Sequence, residues 1–85
     1  MKLRTFAISS DLFSYYEKEI NVEYINSIQD IILLIVTDLD KLFRENNLVL
    51  LSEKLRERNF HVHDFTIDEI KNSNDKRIYY ICDHC

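Results

Sequence analysis

Along the middle of the chain, apolar residues recur at helical spacing. Ile28, Ile31, Ile32, Ile35, Leu39, Leu42 and Phe43 fall on one face of a wheel. Asn26 or Ser27 supplies the N-cap, with Gln29 or Asp30 three residues on as its reciprocal partner. Asn46 and Asn47 end the run where other chains use Gly. The spacing predicts a helix over 27–46. Before it, the segments 2–8 and 12–20 are rich in strand formers and flank the turn signal at 9–11, which predicts a hairpin. After it, the four apolar residues 48–51 read as a buried strand, and the charged 52–59 as a solvated hairpin or a short helical turn. Thr66 stands three before Glu69, with Phe65 and Ile70 at the flanking apolar positions. Capping box and staple together predict a helical turn at 66–72. The last segment, 77–82, reads as a strand.

One amphipathic helix must cover one face of a mixed sheet, so the fold class is α+β. The first and last strands are expected to pair centrally, which hides their edges. The 85 residues are expected to form a single domain over 1–85.

Composition sharpens this picture in two ways. The chain has no Gly and no Pro. Turns that need positive φ must therefore use Asn, Asp or Ser. Phosphate-cradling glycine loops, the dinucleotide fingerprint and the Gly-flanked serine elbow are all excluded. The same scarcity, with abundant Ile and Asn, suggests an AT-rich genome, viral or parasitic. The net charge of −4 argues against a nucleic-acid partner. The apolar run 31–36 is far too short to span a bilayer, so no membrane association is expected. No leader is expected from the opening residues, and a cytoplasmic or nuclear location is expected.

The order of elements resembles the β-grasp of ubiquitin-like proteins. The local match is "LVLLSEKL" at 48–55 followed by "VHDFTI" at 62–67. The resemblance implies a mixed sheet packed on one long helix, core positions for Val62 and Ile67, and a turn fixed by Asp64. The family's conjugated members end in two glycines. This chain ends in "CDHC", so conjugation through the C-terminus is not expected.

The cysteines invite a metal reading. C-x-x-C is specific for zinc only with a second ligand pair, and His61 and His63 are the candidates, pointing to one face of a strand. In a β-grasp those histidines would lie near the helix start and the last strand would finish near the helix end. A nineteen-residue helix is about 28 Å long, so one domain is not expected to join them. Neither metal nor other cofactor is therefore expected, with Cys82, His84, Cys85, His61 and His63 as the ligands were zinc to bind. Cys82 is expected to act as a small apolar group and Cys85 to be a free thiol. His61 and His63 have no nucleophile or carboxylate placed beside them by spacing, and no catalytic residue is expected.

The surface left over points to a protein partner. Leu33 and Leu34 fall outside the core stripe of the helix. Tyr15 and Tyr16 are adjacent on one strand, Tyr79 and Tyr80 on another, so one of each pair faces away from the helix. Outward Tyr is a good contact residue. These six residues predict a non-enzymatic interaction module, a small subunit or adaptor of a larger assembly. The alternatives are a phage- or virus-encoded inhibitor of a host enzyme and a metal-linked dimer through the C-terminal cysteines. The oligomeric state is left open by the sequence.

Overall fold

The computed structural model describes residues 2–10 and 13–83, without the side chains of residues 9, 10 and 13–15. Four strands occur there: β1 (Leu3–Ser10), β2 (Phe13–Asn21), β3 (His61–Val62) and β4 (Ile78–Cys82). Three helices join them: α1 (Ile28–Glu45), α2 (Val49–Arg56) and α3 (Ile67–Asn72). The sheet order is β2-β1-β4-β3. β1 and β2 form the antiparallel hairpin, from Leu3 opposite Asn21 to Ile8 opposite Tyr16. β1 continues through the predicted turn at Ser9 and Ser10, and Asp11 and Leu12 lie outside the described residues. β1 and β4 pair in parallel at the centre, with Phe6 opposite Tyr79. The first and last strands are therefore joined as expected.

α1 behaves as its periodicity requires. Ile31, Ile32, Ile35, Leu39 and Phe43 are buried against Phe6, Ile8, Tyr79 and Ile81 of the sheet. Leu42, assigned to the same stripe from the sequence, is 44% exposed. The helix start is doubly capped: Ser27 Oγ accepts from the Asp30 amide, and Asp30 Oδ2 accepts from the Asn26 amide. At the other end Asn47 takes φ 62°, the left-handed conformation that glycine usually supplies. Asp64 does the same at φ 65° in the turn after β3.

α3 is also as predicted. Thr66 Oγ1 accepts from the Glu69 amide, Glu69 Oε1 accepts from the Thr66 amide, and Ile70 is fully buried. Its far end is closed by residues remote in sequence. Arg4 Nε donates to the Ile70 carbonyl at 2.9 Å and its Nη2 to that of Ser73. This one guanidinium satisfies carbonyls that a left-handed residue would otherwise help to cap.

The segment 48–51 departs from expectation. It is the start of α2, not a buried strand. A run of four apolar residues fits either element, and here the residues beyond it decide. Ser52 and Leu55 share a helical face with Leu51 and are fully buried. With this segment helical, the place beside β4 falls to β3, which the sequence reading had set apart from the last strand.

Candidate interaction surface

One carboxylate holds the corner between α1 and α2. Asp40 accepts from the hydroxyl of the buried Ser52, from Arg56 Nη2 at 3.1 Å and from Arg44 Nε at 3.1 Å. The Ser52 hydroxyl, then the two guanidiniums, hold its carboxyl below the usual carboxylate range. α2 begins at Val49, and its N-cap Leu48 provides no side-chain cap. With Ser52 and Leu55 fixed inward, Val49 and Leu50 fall outside the buried face of α2, and Leu48 precedes its first turn. Leu48, Val49 and Leu50 are accordingly 42, 50 and 64% exposed. Single exposed apolar residues are ordinary, but three in succession are an error of patterning unless they serve a function. Leu42, in the last turn of α1, is exposed too and lines a recess of about 280 Å³ with Tyr16, Asp38, Lys41 and Glu45.

The residues singled out from the sequence divide among several places. Leu33 and Leu34 are exposed on α1, at 65 and 45%. Tyr80 is the outward member of its pair at 57% exposure, while Tyr79 is buried between Phe6 and Phe65, at ring distances of 5.6 and 5.1 Å. Tyr79 is thus no contact residue: alternation turns it toward α1. Tyr16 also faces α1, half-buried, and its hydroxyl donates to Asp38. Burial, then that hydrogen bond and the carboxylate charge, push the Tyr16 phenol up. The Tyr16 hydroxyl, with Lys18 at 3.1 Å from Asp38, holds the Asp38 carboxyl down. The Tyr15 side chain lies outside the described part. Leu33 and Leu34 on the outer side of α1 and Tyr80 on the far face of the sheet are separated by the core, so one flat partner cannot cover both. The exposed run Leu48–Leu50 was missed because it had been placed in the core. The available signal was the i, i+4 spacing of Leu51 and Leu55 with Ser52 beside them, which defines a helical inner face that leaves Val49 and Leu50 outside it.

The histidines and cysteines also change place. His61 pairs directly with Cys82 across β3 and β4. The sequence argument that the two motifs lie a helix length apart therefore fails, because these strands are antiparallel neighbours. Cys82 is disulfide-bonded and is not the isolated apolar thiol expected. Cys85 and His84 lie outside the described residues. Beside Cys82, the buried Asp83 carboxylate accepts from Arg58 Nη1 at 2.9 Å and ties the end of β4 to the segment after α2. Among the described residues no three His, Cys, Asp or Glu side chains stand together as metal ligands. No helix among them is long and apolar enough to cross a membrane. The chain matches no family model, no curated protein and no solved structure.

Proposed function

We propose that the protein is a non-enzymatic interaction module, a small subunit or adaptor of a larger protein assembly, and that the α1–α2 corner is its principal contact. The observation that carries this reading is the exposed run Leu48–Leu50 at the start of α2, a helix anchored in the core by Ser52 and Leu55. Fully burying one such side chain is worth about 1.5–3 kcal/mol, and these three are about half covered already. A partner closing over all three gains roughly 2–4 kcal/mol, enough to make them the centre of an interface. Leu33 and Leu34 form a second contact on the outer side of α1, and Tyr80 a third on the sheet. The reading includes a β-grasp relationship, supported by the hairpin, the helix packed across it and the central parallel pair β1–β4.

The test is capture of partners from the native source by the tagged wild-type chain and by Leu50→Asp, Leu33→Asp and Tyr80→Asp variants. Loss of the partner in Leu50→Asp, with unfolding unchanged, is the expected result. Identical partner profiles for wild type and all three variants would refute it.

A further inference from the structure

The chain carries a net charge of −4, yet its cations are not spread evenly. Lys2, Arg4, Lys71 and Lys76 line one recess of about 370 Å³, between the start of β1 and the end of α3 with the loop that follows it. Among the described residues, Asp75 is the one carboxylate of that lining, so the recess holds an excess of three positive charges. Asp75 is already engaged: it accepts from the Ser73 hydroxyl and from Arg77 Nε at 2.9 Å. The Arg77 guanidinium in turn lies over the Phe65 ring, 5.1 Å from its centre. A neighbouring recess of about 330 Å³ shares Arg4, Asp75 and Lys76, and adds one charge of each sign, Glu19 and Arg77.

The cations are positioned by the backbone and not by counter-charges. Arg4 donates to the carbonyls of Leu3, Ile70 and Ser73, and its other N–H groups are left over. Lys2 Nζ donates to the Lys71 carbonyl at 3.4 Å, and Lys71 Nζ to the Ile25 carbonyl at 2.7 Å. Carbonyls satisfy these donors without cancelling their charge. Like charges gathered in one recess repel, and a multiply charged anion placed among them removes that repulsion. A carboxylate carries a single charge, whereas a phosphate group carries about 1.5–2 at neutral pH. Arg presents a fork to phosphate oxygens and Lys a point charge. In a chain without glycine, such side chains stand in for the glycine loop that cradles phosphate elsewhere.

We propose that this recess binds a small polyphosphate, free or carried by a nucleotide, through Lys2, Arg4, Lys71 and Lys76. The phosphates are the group recognised, and the site is independent of the partner reading.

The test is calorimetric titration of the full chain with sodium tripolyphosphate and, separately, with ATP, both without divalent metal. One anion per chain is expected, with similar affinity for the two probes, falling steeply as salt rises from about 0.05 to 0.5 M. Amide resonances of residues 2–5 and 71–77 should move on binding. Because Arg4 also closes α3, the diagnostic variants are the exposed lysines. Lys2→Gln and Lys76→Gln should each weaken binding about fivefold with an unchanged unfolding midpoint. Lys54→Gln, the same loss of charge on α2, should leave affinity unchanged. No saturable binding of tripolyphosphate, binding of ATP alone, an equal loss in Lys54→Gln, or resonance shifts centred elsewhere would each overturn the proposal.

Discussion

The two short helices α2 and α3 are built on opposite principles. α3 is six residues long and is specified locally: Thr66 and Glu69 exchange hydrogen bonds, and the flanking Ile70 and Phe65 pack into and against the core. α2 is longer, at eight residues, yet its N-cap residue makes no side-chain bond. Isolated helices of either length are unstable in water. α3 reduces that cost with its own capping box. α2 relies on Asp40, twelve residues before Ser52, and on the fully buried seat of Leu55 in the core. A helix held from one side by tertiary contacts is free to present the rest, and α2 presents Val49 and Leu50 beside the exposed N-cap Leu48.

If α2 depends on the core, Leu55→Ala should have the largest effect, a loss of about 2–5 kcal/mol in chemical denaturation. Hydrogen exchange would then show α2 opening first. Ser52→Ala should cost about 1–3 kcal/mol, because it removes the hydroxyl aimed at the Asp40 carboxylate. Its effect should be confined to the α1–α2 corner, with β4 amides unaffected. Thr66→Ala should cost about 1 kcal/mol, the ordinary value of an N-cap. That the shorter helix yields to a local substitution, and the longer one to distant ones, is what the comparison requires.

The acid limb of the stability profile sharpens it further. The folded Asp40 carboxyl titrates below its unfolded counterpart, near about 3.9. Its contribution is therefore complete above the unfolded value and is lost as the pH falls through the folded one. Ser52→Ala should flatten that acid slope, measured as unfolding midpoint against pH, whereas Thr66→Ala should leave it as it is. The smallest effect belongs to Leu50→Ala, which should change stability by no more than about 0.5 kcal/mol, as for surface substitutions generally.

How legible each part was follows from the range of the forces that made it. α1 could be read because its stripe repeats over 18 residues, long enough for the period to be unambiguous. The capping box of α3 and the use of Asn47 as a substitute for Gly were legible because both act within a few residues. The segment 48–51 was not, since four apolar residues carry no period and their partner Ser52 is oriented by Asp40. That one error also displaced β3 in the reading and hid the opposition of His61 and Cys82.

The sequence by itself determined the hairpin, the amphipathic α1, the central pairing of first and last strands and the start of α3. The hairpin, α1 and the start of α3 are written in residues whose interactions are close in sequence or repeat with a regular period, and the central pairing follows from the need to hide the edges of the terminal strands. Only the tertiary structure decided that α2 is a helix, that its apolar start faces solvent, that Tyr80 and not Tyr79 is outward, and that His61 stands across from Cys82. Those outcomes depend on which surfaces meet when the layers close, and burial and register are properties of the packed pair, not of either segment alone.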